Sequence, residues 1–103
     1  MARVHINSRS DFFRVLDRTL AEARAFADAA PGFQPMRIIV KQLEAMKSWT
    51  AGGRTPTPDE RRLVDIGVIT VRELEPAPDD AADDFNLRLH ELNGYFEDWP
   101  PGP

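Results

Sequence analysis

Apolar residues recur at intervals of three and four along residues 36–49, which is the spacing of one face of an α-helix. The apolar positions are Met36, Ile39, Val40, Leu43, Met46 and Trp49. Because this stripe is broad enough to contact two neighbouring elements, the pattern predicts the central helix of a small bundle. Gly52-Gly53 would end the helix, since glycine tolerates the left-handed conformation that follows a helix C-terminus.

A second amphipathic pattern precedes it and predicts a helix from about Ser8 or Ser10 to Ala29. Its apolar face consists of Phe12, Leu16, Leu20, Ala23 and Phe26. Ser8, with Asp11 three residues later, resembles a capping box in which aspartate replaces the usual glutamate. Pro31-Gly32 would end the helix. Residues 1–8 are expected to form a loose N-terminal arm, although the alternation around Val4 and Ile6 also fits a short strand.

Thr57-Pro58-Asp59-Glu60 carries the clearest local signal in the chain. Thr57 would be the N-cap of a third helix, Pro58 its first residue and Glu60 the reciprocal capping partner. Helical spacing continues as far as Leu74, with a break allowed at Gly67. The β-branched residues after Gly67 also fit a strand, but a lone strand would have no pairing partner. The prediction is therefore a helix, and a strand stays open as the alternative for residues 68–74.

A fourth helix is predicted after Pro76-Ala77-Pro78, with Asp79 or Asp80 as its N-cap. The acids in its first turns are favoured by the helix dipole. Its apolar face consists of Ala82, Phe85, Leu89, Leu92 and Phe96. Asn93-Gly94 would allow an end one turn earlier, and the proline-rich tail at 97–103 is expected to fray. Short connections between four helices predict an all-α fold, a single domain over 1–103 built as a small antiparallel bundle.

Composition agrees with one globular domain, since 42% of the 103 residues are hydrophobic and 29% are charged. The absence of cysteine excludes a disulfide framework, a thiol nucleophile and cysteine-ligated zinc. The sequence shows neither the apolar core of a signal peptide nor a run that would span a bilayer. We therefore expect the protein to remain in the cytoplasm, away from membranes.

Charge is unevenly distributed along the chain. Residues 1–62 carry a net charge of +4, whereas residues 63–103 carry −8. The acidic half disfavours nucleic acid as a partner, because phosphates would be repelled. It suits a basic protein surface or a groove that normally takes an anion. The alternative interpretation is a solvated face that maintains solubility.

Candidate chemistry is sparse. The two histidines, His5 and His90, lie far apart in sequence, and we find no phosphate-binding loop, dinucleotide fingerprint or zinc-protease motif. An enzyme would require His90 and at least one carboxylate to converge in a pocket. The acids at 73–84 lack the glycine and terminal glutamate of a calcium loop. The sequence therefore predicts no catalytic, cofactor or metal site.

Partner contacts are expected from the acidic run and one aromatic side chain. Trp99, in the proline-rich tail, is interpreted as an exposed contact, whereas Trp49 continues the stripe at 36–49 and is expected in the core. The predicted partner-binding residues are Glu73, Glu75, Asp79, Asp80, Asp83, Asp84 and Trp99. Tyr95 is a further possible interface anchor, and the secondary candidates are Lys47, Arg61 and Arg62.

A family resemblance gives these contacts a context. Lys41-Gln42-Leu43, and then Leu63, Gly67, Ile69, Val71, Arg72, Glu73 and Leu74, resemble a family of small bacterial immunity proteins from type VI secretion systems. The similarity covers about residues 12–95. The resemblance implies an all-helical cytoplasmic protein without catalytic activity. It would bind the toxin domain of a neighbouring secreted effector and cover the entrance to its NAD(P)+ pocket, because the toxins of that family hydrolyse NAD(P)+.

Three segments depart from the family pattern: the N-terminal arm, the loop at 52–57 and the proline-rich tail. Such surface differences distinguish related toxins, so they leave the exact partner open. The alternative hypothesis is a helical adaptor or regulatory subunit without a toxin partner, self-associating through the stripe at 36–49. The free protein would be a monomer or a weak homodimer. The neighbouring upstream gene separates the hypotheses, because only an immunity protein requires a secreted effector there.

Overall fold

The computed structural model describes residues 5–100, and all regular secondary structure in that range is helical. The main helices are α1 (Arg9–Ala29), α2 (Gln34–Trp49), α3 (Pro58–Arg62), α4 (Ile66–Ile69) and α5 (Asp80–Glu97). Two short turns complete the fold, a 3₁₀ turn at Ala51–Gly53 and a π-helical turn at Thr70–Leu74 that continues α4. The predicted all-α fold is confirmed.

The start of α1 is fixed by side chains, as the sequence predicted. The Ser8 hydroxyl accepts a hydrogen bond from the backbone N–H of Asp11 at 3.1 Å. The reciprocal bond differs from a standard capping box, because the Asp11 carboxylate accepts from the N–H of Asn7 at 3.0 Å. The cap thus extends one residue further outward and satisfies a donor ahead of the helix.

The glycines predicted to end α2 lie in the short turn that follows its last residue. The helix ends at Trp49, and the 3₁₀ turn follows. Gly52 and Gly53 have φ angles of 68° and 84°. These left-handed values favour glycine because it has no Cβ, and they redirect the chain toward α3.

The capping box of α3 is confirmed, but the helix is shorter than predicted. The N–H of Glu60 donates to the Thr57 hydroxyl at 3.1 Å, and the Glu60 carboxylate accepts from the N–H of Thr57 at 2.9 Å. The helix ends at Arg62 because α2 holds the following residues: Gln42 pairs with both the backbone N–H (2.9 Å) and the carboxylate (2.6 Å) of Asp65. The chain resumes as α4, so residues 68–74 are helical.

The last helix, α5, begins at the predicted cap and runs through the predicted stop. The Asp79 carboxylate accepts from the N–H of Ala82 at 2.8 Å. Asn93-Gly94 does not end the helix, which continues to Glu97. The Asn93 side-chain oxygen instead accepts from the N–H of Gly67 at 2.7 Å, which attaches α5 to the start of α4.

The apolar faces of α1, α2, α4 and α5 meet in one core. Its fully or nearly buried members include Phe12, Val15, Leu16, Leu20, Ala23, Met36, Ile39, Leu43, Met46, Val64, Ile66, Ile69, Leu89, Leu92 and Phe96. Within the stripe of α2, Met36, Ile39, Leu43 and Met46 are buried in this core, whereas Val40 and Trp49 are partly buried against it. Self-association through the stripe stays a prediction.

Both ends of the described chain are attached to the helices. The backbone N–H groups of His5 and Ile6 donate to one oxygen of Glu91, at 2.7 and 3.1 Å. At the other end, the Arg9 guanidinium donates to the carbonyl of Pro100 at 2.8 Å. The remaining parts of the expected arm and tail, residues 1–4 and 101–103, lie outside the described residues.

Candidate partner-binding surface

Five of the six acids predicted to contact a partner are exposed. Glu73, Glu75, Asp79, Asp80 and Asp83 occupy the link between α4 and α5 and the first turn of α5. We call these five residues the acidic link. Asp79 also caps α5, so its carboxylate serves the fold. The helix dipole stabilises carboxylates in this position, and their charge faces solvent.

Asp84 differs from the acidic link because it is held inside the junction of α5 with the rest of the protein. Its carboxylate lies 2.9 Å from Arg88 Nε and 2.9 Å from the His5 ring. Burial raises the pKa of Asp84, but the hydrogen bond and charge of Arg88, followed by those of His5, lower that pKa below its usual range.

Arg88 connects α5 with α1. Its side chain is 2% exposed. It donates to the Thr19 hydroxyl at 2.9 Å and to Glu22 at 2.7 Å, in addition to Asp84. A buried guanidinium requires this number of acceptors, since an unpaired buried charge is strongly destabilising. Thr19 and Glu22 lie more than sixty positions from Arg88, so no local pattern in the sequence indicates this network.

Trp99 is buried, so its interpretation as an exposed contact is wrong. The side chain is 5% exposed. Its ring packs edge-on against Phe12 at 5.1 Å and Tyr95 at 5.5 Å, and the Arg9 guanidinium lies 5.0 Å above it. The proline-rich context predicted a non-helical tail, but it did not show that the tail folds back onto α1. Trp49, expected in the core, is half-buried and stacks on Phe96 at 6.3 Å.

The secondary candidates are engaged with the protein itself. Arg61 donates to the carbonyls of Pro56 and Glu97, and Arg62 pairs with Asp59. Lys47 pairs with Asp17 at 2.9 Å. Surface pairs of this kind exchange readily with water, so they leave these cations accessible. They do not point to one binding face.

An exposed apolar surface near α3 and α4 was missed by the sequence analysis. Leu63, Val68 and Val71, which we call the valine face, are 64%, 58% and 58% exposed. Val68 and Val71 line a shallow groove of about 930 Å³ between α4 and α5. Contiguous exposed apolar residues commonly mark protein interaction sites. Leu63 lies directly after α3, in the break before α4.

His90, which lines the same groove, pairs with Glu75 of the acidic link. Their side chains are 3.0 Å apart and about one-third exposed, so the pair is open to water. The described residues that line the groove include no hydroxyl or thiol that this pair would activate. Within residues 5–100, no three histidine or acidic side chains are close enough to hold a metal ion.

A second cavity lies where α1, α2 and α5 approach one another. It has a volume of about 450 Å³, and its walls include Phe26, Phe33 and Phe85. We call it the phenylalanine pocket. Glu22 and Glu73 are the charged residues that line it within the described chain. Glu73 therefore belongs both to this pocket and to the acidic link.

Comparison with known proteins identifies one family. The Tsi6 family model matches residues 13–98, which is most of the chain. The search of curated proteins found no match, and the search of solved structures found none either. Of the helices in residues 5–100, none combines the length and apolar character required to cross a bilayer.

Proposed function

The chain belongs to the Tsi6 family of type VI secretion immunity proteins, and we propose that it binds and neutralises the toxin domain of one cognate effector. The observation that carries the proposal is the family match over residues 13–98. The exposed valine face supports a protein partner, since apolar surface of this kind is stabilised by being covered.

The target chemistry is a finer part of the proposal. We infer that the toxin hydrolyses NAD(P)+ and that this protein covers the entrance to its substrate pocket. The similarity of residues 41–43 and 63–74 to immunity proteins of such toxins supports this inference. The acidic link supports it independently, because a cleft that takes an anionic dinucleotide is complementary to a carboxylate-rich surface.

The proposal assigns this protein no catalytic step. His90 lines an open groove and pairs with Glu75, and the described residues that line this groove include no hydroxyl or thiol. Neutralisation by occlusion requires only a stable complex. The free protein would be a cytoplasmic monomer or weak homodimer that waits for its partner.

Co-expression tests both parts of the proposal. The toxin domain of the effector encoded upstream would be produced with and without this protein, while growth and cellular NAD+ are followed. Rescued growth, retained NAD+ and co-purification of the two chains are the expected results. A complex without any NAD+ loss in the unprotected cells would retain immunity and reject the glycohydrolase.

A helical adaptor or regulatory subunit is the second candidate, and the valine face is the observation that favours it, because the same surface would serve a different partner. The co-expression experiment separates the two. Absence of both toxicity and a complex would reject immunity for this pair and favour the adaptor.

A further inference from the structure

The phenylalanine pocket offers an apolar surface that its own chain leaves open. Phe26 is 46% exposed although its neighbour Phe33 lies only 5.8 Å away, centroid to centroid. Phe85 is half-buried on the opposite wall. A cavity of about 450 Å³ is within the range that accepts a small ligand or the side chains of a partner segment.

The charge around this pocket has one sign. Its charged lining residues are Glu22 and Glu73, and no Lys or Arg of the described chain lines it. Ala81 and Ala82, which form part of the wall, lie in the first turn of α5. The carboxylates of Asp79 and Asp80 lie on the same turn. Glu22 is paired with Arg88 and Arg18, and Glu73 lies 3.5 Å from Arg72 at an exposed position. The acids at the start of α5 therefore add to the negative charge on the Glu73 side of the pocket.

The groove beside the valine face is not lined by charges of one sign. Arg62 and Arg72 line it together with Asp65 and Glu97, so it carries both signs. It would accept apolar surface without selecting the charge of the partner. The phenylalanine pocket combines an apolar wall with charged lining residues that are both acidic, and this combination favours an apolar occupant with basic neighbours.

We propose that the phenylalanine pocket receives an apolar side chain of the toxin domain, flanked in the toxin by Lys or Arg residues that face Glu73 and the first turn of α5. This inference rests on the proposed function and names the surface that performs it. The apolar side chain supplies an anchor, which is the type of contact that dominates interface energies. The basic flank supplies selectivity and rapid capture.

Filling the pocket tests the inference. Ala81→Trp places a large ring at the pocket wall, and Ala51→Trp places the same ring on the exposed 3₁₀ turn away from it. The toxin domain would be recovered from the co-purified complex by refolding. Its affinity for each variant of this protein would then be measured by calorimetry. We expect Ala81→Trp to weaken binding by about tenfold or more, and Ala51→Trp to change it by less than about twofold.

Two further variants test the pocket in case Ala81→Trp fails to fold. Phe26→Ala removes an exposed pocket wall, and Glu73→Lys reverses the charge at the edge; both should weaken toxin binding while circular dichroism remains that of the wild type. Glu44→Lys, an exposed acid on α2, is the matched charge control.

The outcomes separate the two proposals. Wild-type binding with unchanged affinity in Ala81→Trp, Phe26→Ala and Glu73→Lys would overturn the pocket inference alone. The pocket inference would also be overturned if these variants changed only the self-association of this protein, measured by sedimentation. Failure of the wild-type protein to bind or protect would overturn the proposed function, and the pocket inference would fall with it.

Discussion

Arg88 is the residue on which the junction between the first and last helices depends. Its buried guanidinium is bonded to Thr19, Glu22 and Asp84. Arg88→Ala would leave the partly buried Asp84 without its main counter-charge and open a cavity beside α1. We expect a loss of about 3 kcal/mol in the free energy of unfolding, measured by urea denaturation.

The matched control for this prediction is Arg18→Ala. Arg18 also pairs with Glu22, but its side chain is 60% exposed. Removing an exposed ion pair should change stability by less than about 1 kcal/mol. Equal losses in the two variants would show that burial of Arg88 does not determine the strength of the network.

Asp84 should make stability depend on pH in the acid range. Arg88 and His5 lower the pKa of Asp84 below its ordinary value of 3.8, against the effect of burial. A carboxylate whose pKa is lower in the folded state adds stability above the unfolded pKa and loses it as pH falls through the folded pKa. Asp84→Asn should therefore cost more stability at about pH 6 than at about pH 3.

Urea titrations of wild type and Asp84→Asn at the two pH values test this. An equal difference at both would contradict the ion-pair assignment. Wild type should retain further acid sensitivity in either case. Hydrogen bonds from Arg14 and from the backbone of Asn7 lower the pKa of Asp11, and those from Arg54 and Thr57 lower the pKa of Glu60.

Residues whose role is local were predictable, and residues whose role depends on distant partners were not. The caps at Ser8, Thr57 and Asp79 act over three positions, so the sequence displays both partners. Trp99 was interpreted as exposed because its neighbours in sequence are prolines. Its burial depends on Phe12, which the sequence places 87 positions away.

At the level of elements, the cap of α3 should determine whether this short helix forms. α3 has five residues and buries none of them, so it lacks the packing that stabilises longer helices. Thr57→Ala removes the hydroxyl that accepts from the N–H of Glu60. We expect a loss of about 1 kcal/mol, together with faster amide exchange in α3.

Thr55→Ala is the control for α3. Thr55 is exposed in the same connection, and the structure gives its side chain no capping bond. Its substitution should leave both stability and exchange near the wild-type values. A comparable loss at both positions would indicate that the connection, and not the cap, stabilises this region.

The number and order of the long helices were predictable, but the break in the third segment was not. Periodicity through Leu63, Ile66 and Thr70 is helical whether or not the helix is continuous. The break is imposed by α2, where Gln42 holds both the backbone and the carboxylate of Asp65. Because this contact spans 23 positions, a local pattern does not contain it.

For the whole molecule, the separation of charge should govern how fast the toxin is captured. A variant with Glu73→Gln, Glu75→Gln, Asp80→Asn and Asp83→Asn neutralises four acids of the acidic link while Asp79 continues to cap α5. We expect its association rate with the toxin domain to fall and to depend less on salt, since steering by charge is screened by ions. Stopped-flow mixing at several ionic strengths measures both.

A matched variant changes four acids elsewhere: Asp17→Asn, Asp28→Asn, Glu44→Gln and Asp98→Asn. It has the same net charge as the variant of the acidic link. If capture depends on where the charge lies, this control should retain most of the rate. Equal losses would assign the effect to net charge, and unchanged rates in both would leave the acidic link without a role in capture.

Much of the candidate surface could be anticipated from charge, and little of it from hydrophobicity. Two of the five exposed acids precede Pro76, and the other three follow Pro78 at the start of α5. Their role in binding stays a prediction. The groove beside the valine face and the phenylalanine pocket were not foreseeable, because each is formed by elements that the chain brings together from distant positions. The phenylalanine pocket requires α1, α2 and α5 at once.

The attachment of the first residues to the last helix has a consequence for how the protein is made. His5 is bonded to Glu91 across 86 positions, and α5 completes the core that α1 and α2 begin. During synthesis, α1 and α2 emerge with their apolar faces uncovered until α5 follows, and such surface attracts chaperones, proteases and other nascent chains. A chain that stops before α5 would keep these faces uncovered, so we expect it to be degraded faster than the whole chain.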